Sequence, residues 1–451
     1  MNITKESIDD LNALLKIKLE KSDYEERVNN VLKDYKKKAR IDGFRPGKVP
    51  FGMINKMYRK PVLVEEINKL VSESITKYLI EEKLNILGEP LPNTDTTSKI
   101  DWDNDTDFEF SFDLGLAPDF ELSVSAKDKF TRYKIKVDKT LIDKYIDSYA
   151  SRFGAFKTVD YIEDKEYVKA EITQLNESGE VMEDGININE ASLSIEMIKD
   201  DKIKTSFIGR QKGDTIDVDL KKAFPNEVDL AALLKTDKSK LEEIKGEFRV
   251  TLKEITLYEK AEINQQLFDK VFGEGIINGE EEFIEKIKEE AAKILEQDSE
   301  YKLRLDIKDY YLKKFKKDLP VDFLKRWIKL TNEKVTEEQI ENEFPMFEKD
   351  LKWQLIKDKI IHDNEIKVDE KELKEAAKEM ALMQFRQYTG MMNVPDEHLE
   401  TYAVRILENE EDRRKIAERK LEDKVIELVK STAKFDAKDI TSEKFNKMIE
   451  K

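Results

Sequence analysis

The chain has 451 residues, 40% of them charged and 39% apolar, with 98 acidic against 81 basic side chains and a formal net charge of −17. That length predicts about three domains, and so low an apolar share for a compact enzyme suits long amphipathic helices and an elongated molecule. The absence of cysteine excludes disulfides and thiolate metal sites. With no basic-then-apolar leader and no uninterrupted apolar run of spanning length, we expect a cytoplasmic protein without a membrane partner.

Asp10 to Leu19 alternates weakly and predicts a strand. Ser22 and Glu25 have the spacing of a capping box, so a helix is expected to open there. Tyr24, Val28, Val31, Leu32, Tyr35 and Ala39 are expected to form its buried stripe and leave Lys33, Lys36, Lys37 and Arg40 on the other side. The helix runs into Gly43-Phe44-Arg45-Pro46-Gly47-Lys48-Val49-Pro50, a tip that cannot be helical. Pro46 lacks an N–H and restricts Arg45, the two glycines allow backbone angles other residues avoid, and Pro50 can open the next helix. The tip therefore presents an aromatic ring, a guanidinium and an ammonium outward. Between Val31 and Lys60 there are ten basic residues against two acidic ones, including the cluster Lys36, Lys37, Lys38 and Arg40. A basic end on an acidic chain points one surface at a polyanion.

A short helix from Pro50 and a longer one from about Pro61 should follow, closed by Pro90 and Pro92. Phe108, Phe110, Phe112 and Leu114 alternate in a strand from Thr106 to Leu116 whose apolar face reads as core. Residues 1–115 thus make a small α+β domain, and 116–158 a linker that is extended over Thr131–Val137 and helical over Lys139–Phe153. From 159 to 258 the pattern turns to short strands: Val168, Ala170 and Ile172; Ile216, Val218 and Leu220; Phe248, Val250 and Leu252.

From Ala261 the pattern is helical to the end, with helices over Glu280–Phe315, Pro320–Lys334, Phe347–Asn364, Asp369–Tyr388 and Pro395–Thr432, and a short one from Thr441. Met380, Met383, Met391 and Met392, four of eleven methionines, fall within thirteen residues and are joined by Phe385 and Tyr388. Thioethers adapt to many partner shapes, so this segment is a candidate surface for promiscuous binding, with helix core as the alternative. No phosphate-cradling Gly-x-x-x-x-Gly-Lys-Ser/Thr appears, and the two histidines, His362 and His398, have no second ligand at metal-binding spacing. No cofactor and no metal are expected.

The series Gly43-Phe44-Arg45-x-Gly47-x-x-Pro50 resembles the signature of bacterial trigger factors, chaperones that dock beside the nascent-chain exit of the ribosome. The resemblance implies that Phe44, Arg45 and Pro46 contact the ribosome, with Gly43, Gly47 and Lys48 shaping and flanking the tip. The family often carries Lys at the position of Pro46. It also implies a middle domain similar to FK506-binding prolyl isomerases, to whose strand lead-in Ser206–Asp214 is similar and to whose last strand Phe248–Ile255 is similar. Such a domain lowers a rotation barrier of about 18–20 kcal/mol by holding the prolyl bond in an aromatic bowl. The positions matching the bowl are Ile203, Ile172 and Glu171, and none of Trp102, Trp327 and Trp353 lies in the domain. The isomerase activity is left open by this departure.

The expected architecture is α+β and multidomain: an N-terminal ribosome-binding domain, an inserted FKBP-like domain, and a helical C-terminal domain over 259–451 with projecting arms. The expected function is ATP-independent chaperoning of nascent polypeptides at the exit tunnel of the large ribosomal subunit, with a homodimer left open for the free chain. An active prolyl isomerase and a non-ribosomal helical adaptor are the alternatives.

Overall fold

The computed structural model describes residues 1–450 apart from 43, 46, 47, 94–99, 105, 333 and 390–393, and the side chains of 388 and 389 are also left aside. The chain forms two compact units, one of residues 1–131 with 302–436, the other of 132–301 with 437–451.

The first unit opens with β1 (Asn2–Ser7) and β2 (Asn12–Leu19), a hairpin whose turn is held by the Asp9 carboxylate accepting the N–H groups of Leu11 and Asn12 at 2.7 and 2.8 Å. Next come α1 (Lys21–Lys38), α2 (Phe51–Glu81), the two-residue β3 (Leu91–Pro92) and β4 (Phe108–Gly115), giving an antiparallel sheet in the order β1-β2-β4-β3. Ala13, Leu15, Ile17 and Leu19 point from β2 onto Tyr24, Val28 and Leu32 of α1 and Ile54, Val62 and Ile67 of α2. On β4, Phe108 and Leu114 are buried while Phe110 and Phe112 are only half covered, so the aromatic face is core at its ends.

Two expectations are corrected here. Helix α1 starts before Ser22, at Lys21, because the Asp23 carboxylate takes the Glu20 N–H at 2.8 Å. The short and long helices expected on either side of Pro61 are one helix of 31 residues. An interior proline costs about 3 kcal/mol, but Ile54 before it and Val62 and Ile67 after it bury in one core and outweigh that cost.

The chain continues through β5 (Lys129–Lys136) and α3 (Lys139–Arg152) into a five-stranded sheet. Its strands are β6 (Ala155–Thr158), β7 (Tyr167–Gln174), β8 (Asn187–Ser194), β9 (Thr215–Val218) and β10 (Phe248–Glu259). The order is β6-β10-β7-β8, with β9 also paired to β10. Three helices, α4 (Asp201–Phe207), α5 (Leu220–Ala223) and α6 (Glu227–Leu233), are each opened by a side-chain cap, from Asp200, Asp219 and Asn226. One sheet face buries Val168, Ala170, Ile172, Val250 and Leu252 beneath Phe207, Phe224 and Leu230. Helix α7 (Gln265–Phe272) then packs with α3 on the start of α8 (Glu280–Lys314), where the Phe268 and Phe283 rings stack at 4.4 Å.

The remaining elements are α9 (Val321–Thr331), α10 (Glu337–Asp363), α11 (Glu370–Thr389), α12 (Asp396–Glu408), α13 (Glu410–Thr432), β11 (Lys434–Thr441) and α14 (Ser442–Ile449). In the first unit Leu303, Ile307 and Tyr311 of α8 meet Trp353, Ile356 and Ile360 of α10 and Val425 and Val429 of α13. Helix α10 begins ten residues before the expected Phe347, because Thr336 and Gln339 form a reciprocal cap at 3.2 and 2.9 Å. The helix expected over Pro395–Thr432 is two, since the Asn409 side chain accepts the N–H groups of Glu411 and Asp412 and restarts the helix. The all-helical reading after Ala261 is also corrected: β11 pairs with β5. Phe435 stacks on Phe130 at 5.9 Å, and the Lys434 N–H bonds the Asp128 carbonyl at 2.9 Å. Only Phe435, Ala437 and Ile440 are apolar there, and their spacing breaks the alternation that marks a strand.

Candidate functional site

The tip between α1 and α2 is built from its legs. The Ala39 N–H closes the last turn of α1 on the Tyr35 carbonyl at 2.7 Å, and Ile41 packs against the domain core. Beyond Ile41 the Phe44 N–H bonds the Ile41 carbonyl at 3.0 Å and the Lys48 N–H bonds the Arg45 carbonyl at 2.9 Å. Val49 is fully buried, and the Pro50 carbonyl starts α2. Anchored on Ile41 and Val49, the loop leaves Phe44, Arg45 and Lys48 exposed. Gly43, Pro46 and Gly47 lie outside the described residues.

The cations around the tip are only partly neutralised. Lys37 pairs with Asp34 at 2.8 Å, Arg59 with Glu25 at 2.7 Å and Lys60 with Asp103 at 2.6 Å. The Lys37 ammonium holds the Asp34 carboxyl below its ordinary range through their hydrogen bond. Among the described residues Lys36, Lys38, Arg40, Arg45, Lys48 and Lys56 make no ion pair, so their charge is available to a partner.

In the sheet domain of the second unit, the three positions matching an isomerase bowl do not form one. Ile172 is wholly buried in the domain core, Ile203 packs against that core, and the Glu171 carboxylate is bridged to Lys253 at 3.0 Å. Phe207, Phe224 and Phe248 are core residues. A cavity of about 750 Å³ in the domain is walled by Val159, Tyr161 and Ile255 together with Lys169, Glu190, Lys212, Lys253 and Glu254, so charged side chains share the lining with apolar ones. With Ile172 and Ile203 taken up by the core and Glu171 ion-paired, the full-length chain is expected to change the rate of a proline-limited refolding phase by less than about twofold. Stopped-flow refolding of a test protein with a slow prolyl phase checks this, and acceleration of tenfold or more would contradict it.

The methionine segment divides between two sites on one three-helix arm. Leu373 and Ala377 of α11, Ala403 and Leu407 of α12 and Ile416 of α13 form the arm's core, fastened by Lys378–Glu400 at 2.9 Å and Lys424–Glu372 at 2.7 Å. Met380 packs against that core, while Met383 is 61% exposed. Both line a cavity of about 200 Å³ between α11 and α13, with Ile416 and Arg419 opposite. Phe385 instead meets Tyr402 at 5.4 Å and lines a separate cleft of about 460 Å³ with His398, Thr401 and Arg405. Sequence reasoning missed Tyr402, because its partner lies on another helix. The Tyr388 side chain, Met391 and Met392 fall outside the described residues.

His362 and His398 are both exposed, the first 3.3 Å from Asp363. Among the described residues no group of three or more His, Asp or Glu could hold a metal ion, and no helix is long and apolar enough to cross a membrane.

Comparison with known proteins bears on the whole chain. Family models described as bacterial trigger factor protein, as the FKBP-like domain of probable trigger factor and as its C-terminal domain match residues 1–149, 156–260 and 299–449 in turn. The chain is 24% identical to a trigger factor of Francisella tularensis subsp. novicida over 401 residues, which cover 84% of this chain and 85% of that one. It is 24% identical to a trigger factor of Bartonella tribocorum over 479 aligned residues, covering 98% and 94%. A solved structure, described as promiscuous substrate recognition in folding and assembly activities of the trigger factor chaperone, covers 95% of this chain and 99% of its own, with 15% identity and a TM-score of 0.46. With all three of the family's models matching in order along one chain, the protein belongs to the trigger factor family.

Proposed function

We propose that the chain is an ATP-independent chaperone that docks at the polypeptide exit of the large ribosomal subunit and shields emerging chains. The observation that carries this is the tip. Phe44 and Arg45 stand exposed between Ile41 and Val49, which anchor the loop on the domain core. Around them lie cations that make no ion pair among the described residues, on a chain of net charge −17. Phe44 supplies an apolar contact to a protein at the exit. Arg45, Lys48 and the cluster Lys36, Lys37, Lys38 and Arg40 face carboxylate or rRNA phosphate, while the acidic remainder is turned away from the polyanion.

Clients are held on the helical arm, where Met380 and Met383 line one cleft and Phe385 another. Clefts walled by flexible thioethers and exposed rings adapt to many sequences, and weak multiple contacts allow release without nucleotide. Residues 1–115 form the docking domain, 116–158 the linker, 159–258 the FKBP-like domain and 259–451 the chaperone domain. The working compartment is the cytoplasm.

Two measurements test the reading. Without ATP, a stoichiometric amount of the chain is expected to suppress light scattering by several unrelated denatured proteins; protection of one protein alone would instead indicate an adaptor. Ribosome affinity is expected to fall at least tenfold between 50 and 200 mM salt, the behaviour of about two or more released counterions. An affinity indifferent to salt would count against the basic surface.

A further inference from the structure

Docking through a loop tip leaves a neighbouring surface unexplained. The first turns of α2 bury Ile54 and Val62 on one side. The opposite side carries Met53, Lys56, Met57 and Lys60, at i, i+3, i+4 and i+7, one stripe of a helix. All four are exposed, Met53 to 41% and Met57 to 50%. Phe44 at 38% and Phe51 at 36% bring the apolar surface up to the tip, and Tyr35, its ring tilted against Tyr58 at 5.3 Å, extends it along the last turn of α1.

The first turn of α2 has no acidic side chain, none occurs before Glu65, and Lys56, Arg59 and Lys60 lie in the two turns that follow. Lys60 reaches Asp103 at 2.6 Å, whereas Lys56 has no ion pair among the described residues. Two outward thioethers flanked by lysines leave apolar side chains in water beside the tip, a surface suited to contact.

We propose that this stripe of α2 is a second docking element, seated on a ribosomal protein surface that is apolar at its centre and carries carboxylates at its rim. The inference rests on the docking function proposed above. It commits to protein rather than RNA because methionine has no planar face to stack on a base and no donor for a phosphate, while it packs well on an uneven apolar surface. Lys56 and Lys60 flank the methionines where rim carboxylates would meet them.

The test is co-sedimentation of the full-length chain with intact ribosomes, titrated at two salt concentrations. The Met53→Ser, Met57→Ser double variant is compared with wild type and with Phe44→Ala, Arg45→Ala. Loss of two partly exposed methionine contacts is expected to weaken binding about tenfold, with the salt slope unchanged because no cation has been removed. Met57→Gln, which keeps the side-chain length, should show part of the loss with an unaltered melting temperature. An affinity within twofold of wild type overturns the inference, as does an equal loss on protein-free rRNA, which would make the stripe an RNA contact. A variant that changes only the monomer–dimer balance in sedimentation velocity also overturns it, by assigning the stripe to self-association. If the Phe44 and Arg45 variant loses binding while the methionine variant keeps it, the stripe alone fails; if wild type does not bind, the docking function fails with it.

Discussion

Replacing Asp128 by alanine is expected to destabilise the first unit by about 3 kcal/mol at neutral pH, a value set by loss of charge-assisted bonds and a stranded buried hydroxyl. Asp128 is 2% exposed and accepts Tyr310 Oη and Tyr311 Oη at 2.8 Å each, Lys314 Nζ at 2.6 Å and the Ser125 N–H at 3.1 Å. Its backbone carbonyl also takes the Lys434 N–H at 2.9 Å, so one residue ties the chain before β5 to α8 and to the start of β11. Burial on its own would raise the Asp128 pKa, but the hydrogen bonds from Lys314, Tyr310, Tyr311 and Ser125 outweigh it and hold the carboxyl below its ordinary value. Burial and the adjacent carboxylate push the Tyr311 phenol far up, so it stays a donor.

The sign of the pH dependence follows. A carboxyl with a depressed folded pKa stabilises fully above its unfolded value, about 3.9, and this is lost as pH falls through the folded value. The gap between wild type and Asp128→Ala should therefore be complete at pH 7 and narrow below about pH 4. Asp128→Asn, which keeps an acceptor but loses the charge, should fall between the two. Urea unfolding followed by tryptophan fluorescence reads this directly, since Trp327 and Trp353 lie in the same unit. Coincident curves at pH 7 would contradict it.

The second large effect concerns how α9 meets the N-terminal sheet. Gly88 has φ +77°, and a Cβ there would lie 2.9 Å from Trp327 Cδ2. Alanine at this position combines left-handed strain with overpacking, together about 2–4 kcal/mol. At Gly115 a Cβ would lie 2.4 Å from Phe323 Cδ1, with no strain from φ, and Gly115→Ala should cost about 1–3 kcal/mol. Beside them Arg326 pairs with Asp113 at 2.6 Å. These contacts place α9 against β4, and the tip and the helices α11 to α13 belong to one compact unit. Thermal melts of both variants check the ranking, and wild-type melting of Gly88→Ala would contradict the packing.

Much of this was legible in the sequence because local chemistry agreed with the fold. The α1 stripe, the phenylalanine strand and the tip each carry their own signal in a few residues, although Tyr35, expected within the buried stripe, is 40% exposed at the end of the helix. What could not be read depended on distant partners. Pro61 looked like a break because the core that holds α2 straight comes from β2 and α1. Strand β11 has no alternation of its own and exists through β5, Phe130 and Asp128. Asn409 looked like any polar helical residue until its side chain was seen to open a new helix. The methionine cluster was one stretch in sequence, but Met380 and Phe385 sit more than one helical turn apart and face different neighbours, Ile416 and Tyr402.

Co-sedimentation with bacterial ribosomes, comparing the intact chain with Phe44→Ala, Arg45→Ala at low and moderate salt, tests the central claim most directly. Removing an exposed aromatic anchor and an exposed guanidinium from the tip is expected to weaken binding by two orders of magnitude or more, as truncation of interface anchors does, while the melting temperature stays that of wild type. Equal pelleting of the two proteins, or no pelleting of the intact chain, would contradict docking through this loop.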